Sequence, residues 1–276
     1  MDLRLDHVTV AGRSLDDLDA AFEGVGLPPT YGGTHSNGVT HMSTLSFPDG
    51  TYVECISTRG AGGESPWWDA HIRSDAGPCA WCVRVDDAGE AAEILRERGV
   101  AVDGPHAFAR ERPDGTRLEW DLLYLGDGDP GSVFPFCIAD TTPREWRVGE
   151  SPTGTGVVGT DTVVVGVRDL ERATARLRGA FDLGAPTDGE SERVGATVAR
   201  FEDAPVALAA PTGAGWLADR LDAVGASPCA YLLETESGAT DRYPVAASEP
   251  WGAREAAWLD PESLGGIRHL GLVERA

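Results

Sequence analysis

Three times along the chain, an alternating stretch of β-branched and apolar residues gives way to a polar cap and then to apolar residues spaced three and four apart. Residues 3–10 have strand character; Ser14 with Asp17 three positions on reads as a capping box, and Leu15, Leu18, Phe22 and Val25 recur at helical spacing until Gly26 ends the run. Residues 79–85, the box Asp87 and Glu90, the stripe Ala91 and Leu95, and the stop at Gly99 repeat the plan. Residues 163–167, the cap Asp169 and the stripe Leu170, Ala173 and Leu177 repeat it again. A fourth strand at 230–235 leads only into Glu236-Ser-Gly-Ala-Thr-Asp241, too short and polar for a comparable helix, so the fourth unit reads as trimmed. Hairpins are expected after the helices: residues 39–47 turn at Pro48-Asp-Gly50 into 51–57, and 108–112 turn at Pro113-Asp-Gly115 into 118–125. A loop, Asp127-Gly-Asp-Pro-Gly131, precedes a strand at 134–138. The pattern predicts an α+β fold of tandem βαβββ units.

The units pair into two halves that share a sequence pattern. Phe47-Pro-Asp-Gly-Thr-Tyr-Val-Glu54 lines up with Phe201-Glu-Asp-Ala-Pro-Val-Ala-Leu208, and Pro78-Cys79-Ala80 returns as Pro228-Cys229-Ala230. Gly149-Glu-Ser-Pro-Thr-Gly154 is the best linker, which divides the chain into a first half, 1–148, and a second, 152–276. In that register His7 faces Thr162, His41 faces Gly195 and Glu54 faces Leu208. One half therefore closes without these polar groups. His7, His41 and Glu54 in the other are expected to serve something besides folding.

Composition narrows the partners. The chain has 276 residues, a formal net charge of −22 and no lysine, all 23 basic residues being arginine. Such a balance repels nucleic acid phosphates and anionic membranes, so neither is expected as a partner. The acidic residues are scattered rather than gathered in a tail, the pattern of a surface kept hydrated in concentrated salt; a halophilic cytoplasm, such as a haloarchaeon's, is the expected home. The start lacks a secretory signal and no stretch is long enough to span a bilayer, which adds to the expectation of a cytoplasmic protein. Gly154-Thr-Gly-Val-Val-Gly159 has the glycine spacing of a dinucleotide-binding turn, but a strand-like run follows where a helix N-terminus would have to face the pyrophosphate. No nucleotide cofactor is expected. Cys79 and Cys82 have redox spacing yet lie three apart on a strand and so point to opposite faces; they read as core residues.

Several ordered motifs carry a closer resemblance. Asp6-His7-Val8, Gly32-Gly-Thr-His35, Thr40-His41 and Asp49-Gly-Thr-Tyr-Val-Glu54, followed by Arg112-Pro-Asp-Gly115, Trp120, Phe134-Pro-Phe-Cys-Ile138 and Thr142-Pro-Arg144, resemble the glyoxalase-like domain proteins of the vicinal oxygen chelate (VOC; glyoxalase, bleomycin resistance and dioxygenase) superfamily. The resemblance covers nearly the whole chain. It implies two glyoxalase-like halves built of curved mixed sheets that form a cup, the first with the candidate site and the second degenerate. It also implies a divalent metal, held by His or Gln and Glu at matching strand positions of paired units. His7 and Glu54 stand at those positions, whereas the second unit offers Ala80 and no carboxylate before Asp140. A four-ligand glyoxalase site is thus incomplete.

Three readings of the polar set follow. His7, His41 and Glu54 could form a facial metal set for Fe, Mn, Zn or Ni with open positions for water and substrate, Glu54 and His41 being catalytic. Glu54 could act as base and a histidine as acid with no ion. A histidine and Glu54 could merely satisfy one another in a polar cup. For substrate binding, His35 sits in a glycine-rich loop, Arg112 and Arg110 offer a guanidinium fork or pair with surface acids, and Trp120 with Trp67, Trp68 and Trp81 lines a pocket or packs the core. The expected function is action on a small oxygenated carbonyl compound, of lyase, isomerase or dioxygenase type. The alternative is a metal-free protein that binds or sequesters a small molecule. A homodimer remains open.

Overall fold

A computed structural model describes residues 2–60, 63–112, 114–267 and 269–275. Pro113, part of the expected second hairpin turn, lies outside the described residues. The first half runs β1 (Arg4–Ala11), α1 (Leu15–Gly24), β2 (Thr30–Thr34), β3 (Thr40–Ser46), β4 (Tyr52–Thr58), α2 (Asp69–Arg73), β5 (Gly77–Arg84), α3 (Ala88–Glu97), β6 (Val102–Glu111), β7 (Arg117–Leu125), β8 (Phe136–Asp140) and α4 (Arg144–Arg147). The second runs β9 (Val157–Gly166), α5 (Leu170–Phe181), β10 (Thr187–Ser191), β11 (Ala196–Arg200), β12 (Val206–Pro211), α6 (Trp216–Val224), β13 (Ser227–Thr235), a single 3-10 turn at Thr240–Arg242, β14 (Val245–Trp251), β15 (Arg254–Leu259) and β16 (Leu270–Glu274).

Each half is one eight-stranded mixed sheet: β2-β3-β4-β1-β5-β8-β7-β6 in the first and β10-β11-β12-β9-β13-β16-β15-β14 in the second. In both, the opening strands of two units pair antiparallel at the centre, and each pairs in parallel with the last strand of its own unit. The caps work as their sequence suggests. Ser14 Oγ accepts the amide of Asp17, Asp87 Oδ1 that of Glu90, and Asp169 Oδ1 that of Arg172. The trimmed fourth unit has the 3-10 turn in place of a helix. Strand β9 begins within the glycine-spaced segment 154–159 and runs on from it, so a strand stands where a helix N-terminus would have to face a pyrophosphate. Cys79 and Cys82 lie on β5, buried and unpaired, as do the other three cysteines in their elements.

Helix α6 has no sequence cap signal, because Gly215 at its N-cap offers no side chain to accept a bond. Part of the glycine-rich segment expected as loop is β2, leaving a shorter loop at 35–39. One continuous core holds the helix-side faces of both sheets with the stripes of α1, α3 and α5; Phe22, Leu95, Leu177 and Val163 are all fully buried in it. Across the halves, Arg220 Nη2 donates to the carbonyl of Pro78 as well as to that of Pro228 in its own half, and Tyr231 Oη stands 2.8 Å from the carbonyl oxygens of Thr9 and Ala80.

The strand register corrects the alignment of the halves. Thr9 on β1 pairs with Glu54 and Ala80, while Val164 on β9 pairs with Ala207 and Ala230. Ala207 therefore stands where Glu54 does, and Leu208 lies on the opposite, helix-side face in the shared core. The β11–β12 hairpin is shorter than β3–β4, because Arg200 pairs with Ala207 where Thr44 pairs with Glu54, and a slip of one residue exchanges the two faces of a strand. Thr162 remains the counterpart of His7, paired with Leu232 as His7 is with Cys82. The counterpart of His41 becomes Thr197, since His41 pairs with Ser57 and Thr197 with Ala210.

Candidate active site

The first sheet encloses a cavity of about 130 Å³ whose lining includes His7, His35, Glu54, Arg110, Trp67 and Trp120. In the second half the counterparts of His7 and Glu54, Thr162 and Ala207, line a groove with Trp251 and Arg254 in place of this polar set. Val164, Ala207, Leu232 and Trp258 pack together, with His269 set between Trp216 and Trp258 at 4.0 and 6.1 Å.

His7 reaches the cavity from β1, and Tyr52 and Glu54 from β4 on the same face of the sheet. Its ring stacks on Tyr52 at 4.6 Å and meets Phe136 edge-on at 5.3 Å. Nδ1 of His7 lies 2.7 Å from Asp6 Oδ1. Adjacent residues of a regular strand point to opposite faces, so this contact needs an irregularity. It has one: the β1–β5 register shifts between Leu5 and His7, leaving Asp6 as the unopposed residue of a β-bulge. The second half keeps the device, with Asp161 unopposed in β9 and paired with Arg254, but with Thr162 in place of a histidine.

Asp6 is buried among cations. Arg147 grips both its oxygens at 2.9 and 3.0 Å, and Arg144 Nη1 reaches Oδ2. Arg147 also donates to Asp140 and, at 2.8 Å, to Tyr52 Oη. Burial alone would raise the Asp6 carboxyl, but Arg147 and the hydrogen bond from His7 hold it well below the usual carboxylate range. With Asp6 ionised, His7 gives it the Nδ1 proton and presents Nε2 as an acceptor. The arms of α4 that make this cage had no assigned role in the sequence, although Arg144 closes the Thr142-Pro-Arg144 motif. Arg147 carried no motif signal.

His35 enters from the loop after β2. Its Nε2 stands 3.9 Å from Glu54 Oε1 and its Nδ1 2.8 Å from Thr40 Oγ1. Burial pushes its pKa below the ordinary histidine value, against the pull of Glu54. Arg110 Nη1 donates to the carbonyl oxygen of Gly32, which ties β6 to β2 across the cavity mouth. Tyr124 lines the wall, and its hydroxyl is buried without a partner among the described residues. Burial raises that phenol, so it stays a proton donor.

Two expected site residues lie elsewhere. His41 does not join His7 and Glu54: on β3 its neighbours Thr40 and Met42 take the cavity face, and His41 lines a separate groove with Arg59 and Asp16. The facial set His7, His41 and Glu54 is therefore not assembled; His35, from the loop before β3, stands beside Glu54 instead. Arg112 lies past the end of β6, exposed, donating to the Trp146 carbonyl oxygen at 3.0 Å and 3.5 Å from Asp114, while Arg110 within the strand lines the cavity. Trp67, Trp68 and Trp120 line it too, whereas Trp81 is fully buried in the helix-side core.

The donor set does not fit a metal as arranged. First-shell ligand atoms lie about 2.0–2.2 Å from a shared ion, and among the described residues only Asp6, His7 and Cys82 bring three ligating atoms within 4.8 Å of one another. Asp6 is already saturated by two arginines and His7, and burial pushes the Cys82 thiol well up, keeping it protonated. His7, His35 and Glu54 share the cavity without coming that close.

The sequence pattern of the glyoxalase-like domain family matches residues 5–181, more than half of the chain. A search of curated proteins finds no match. Among solved structures, the fold is similar to a hypothetical protein from Staphylococcus aureus (15% identity, TM-score 0.64, 99% of each chain covered). It is also similar to a mutant 4-hydroxymandelate synthase from Streptomyces coelicolor (12%, TM-score 0.67, 100% of this chain and 93% of that one). A third similar structure is 2,2',3-trihydroxybiphenyl 1,2-dioxygenase from Sphingomonas wittichii (13%, TM-score 0.54, 100% and 91%). At these identities the likeness speaks for the fold.

Proposed function

The chain belongs to the glyoxalase-like domain family, and from that premise we propose that its first cup binds a small oxygenated carbonyl compound and moves a proton on it by acid–base chemistry. The observation that carries this reading is the placement of Glu54 and His35, 3.9 Å apart, in a cavity whose lining includes Trp67, Trp68, Phe108 and Trp120. Glu54 takes the proton from the carbon beside the carbonyl. The C–H electron pair becomes the new C=C bond, and the carbonyl oxygen gathers the negative charge. His35, neutral near pH 7 because burial disfavours its cation, meets that oxygen with a hydrogen bond rather than a full positive charge. His7, oriented by Asp6, accepts a hydroxyl proton of the ligand. Returning the proton to the opposite face of the same carbon gives an epimer; returning it to the former carbonyl carbon, while the hydroxyl proton passes by way of His7 to the former carbonyl oxygen, gives an isomer, so an isomerase-type outcome is favoured. No step needs an ion, and the donor set does not fit one as placed.

The substrate is small. A cavity of about 130 Å³ is close to an engineered protein cavity of about 150 Å³ that accepts one benzene ring. Arg110 supplies a clamp for an anionic end, and the unpartnered Tyr124 hydroxyl a donor for a further oxygen. The aromatic walls Trp67, Trp68 and Trp120 favour one second reading, a cup that sequesters a planar ligand unchanged. The test is proton exchange in D₂O with hydroxyacetone, dihydroxyacetone and pyruvate, followed by NMR in concentrated salt, with tryptophan fluorescence reporting binding. Loss of C–H signal with the parent but not with Glu54→Gln supports the proposal. Binding without exchange in the parent overturns proton transfer and leaves sequestration.

A further inference from the structure

We infer that Asn37 and Thr40 are positioning residues that lock His35 in its Nε2–H tautomer, so that the cavity holds one histidine fixed as a hydrogen-bond donor and another, His7, fixed as an acceptor. The argument starts from backbone groups whose roles are unambiguous. The amides of Val39 and Thr40 both point at Asn37 Oδ1, at 2.8 and 3.0 Å. Only an oxygen can accept them, which fixes the orientation of the side-chain amide. Asn37 Nδ2 then faces Thr40 Oγ1 at 3.1 Å and must donate to it.

Thr40 Oγ1 has one proton to place. It stands 2.8 Å from His35 Nδ1 and 3.3 Å from Asn37 Oδ1. The amide oxygen is further away and already accepts two bonds, one for each lone pair, so the hydroxyl donates to His35. Nδ1 is then the bare nitrogen and Nε2 carries the hydrogen. A second contact agrees: Nε2 faces the Glu54 carboxylate at 3.9 Å, where a lone pair would be repelled and an N–H is attracted. His7 is polarised the opposite way, because Asp6 takes its Nδ1 proton. Thr40 is fully buried, so water does not compete for its hydroxyl.

This gives the loop 35–40 a function its sequence did not suggest. A ligand oriented by the two rings presents an acceptor oxygen to His35 and a donor group to His7, and the reverse orientation leaves both rings mismatched. The consequence for turnover rests on the proton-transfer reading of the cup, but the tautomer is a property of the ligand-free protein and is measured separately from activity.

The experiment is long-range ¹H–¹⁵N correlation NMR on histidine-labelled protein, the His35 signals being those missing from His35→Gln. The parent should show a protonated Nε2 and a bare Nδ1 at His35. Asn37→Asp keeps an oxygen for the Val39 and Thr40 amides but turns the Thr40 hydroxyl toward its second oxygen, so the His35 population should shift to Nδ1–H. Asn37 is exposed, and that variant should retain the parent fold. Thr40→Ser preserves the hydroxyl and should preserve the parent tautomer. An Nδ1–H tautomer in the parent, or an unchanged tautomer in Asn37→Asp, overturns the inference whatever the outcome of the exchange assay.

Discussion

Replacing Asp6 by asparagine tests the cage behind the candidate site most directly. Asp6 is fully buried and accepts from His7, Arg144 and both terminal nitrogens of Arg147, so the change removes one negative charge and leaves two guanidinium groups facing Asp140 alone. Removing one partner of a buried pair costs roughly 3–5 kcal/mol, because the cations left behind stay desolvated. Asp140 continues to neutralise Arg147, which places the expected loss near the lower end, about 3 kcal/mol. Denaturant unfolding at pH 7 in concentrated salt measures it. Asp161→Asn is the internal control: it sits at the same bulge of the second half, but its partner Arg254 is a third exposed, and the expected loss is about 1 kcal/mol or less. The sign of the pH dependence follows from the depressed Asp6 pKa. The stabilisation is fully present above the ordinary aspartate value of about 3.9 and is lost as pH falls below it through the folded-state value. Parent and variant should therefore differ by a constant amount at neutral pH and converge only in acid. A loss under about 1 kcal/mol at pH 7, or a loss no larger than that of Asp161→Asn, would refute the account of the cage.

The donor geometry predicts that protein purified in high salt without chelator, then offered Fe, Mn, Zn and Ni, stays well below one ion per chain by elemental analysis; stoichiometric metal that disappears in Glu54→Gln would show that the cup rearranges around an ion. With a net charge of −22 and no lysine, the melting temperature should climb between low and molar salt as the Debye length falls from about 10 Å to about 3 Å, and a flat profile rejects the halophilic reading. His71 bridges the halves through Ser227 at 3.1 Å, and burial lowers its pKa to about 3, so the unfolded chain takes up a proton that the folded one refuses. Stability should drop as pH falls below about 6.5, by about 2 kcal/mol at pH 5; a His71→Gln variant with the same loss between pH 7 and pH 5 would contradict this.

Local regularities were legible in the chain because they depend on near neighbours. Ser14, Asp87 and Asp169 announce helix starts, alternation marks strands, and the repeated Pro-Cys-Ala segments reveal a duplicated scaffold whose centre pairs alike in both halves. His7 and Glu54 stood out as polar groups that the second half manages without, and both line the cavity. What the chain alone could not decide was which residues share a face. A shorter hairpin moved Ala207 into the place expected for Leu208, and with a period of two every such slip inverts the assignment. The same arithmetic turned His41 outward and left the cavity to His35, a loop residue with no periodicity to read. Asp6 meets His7 only because a bulge breaks the alternation, and its cage comes from Arg144 and Arg147, far along the chain on a helix of a single turn. Those contacts were decided by the closing of the sheet, since packing and charge neutralisation across it depend on distance in space, which spacing along the chain does not encode.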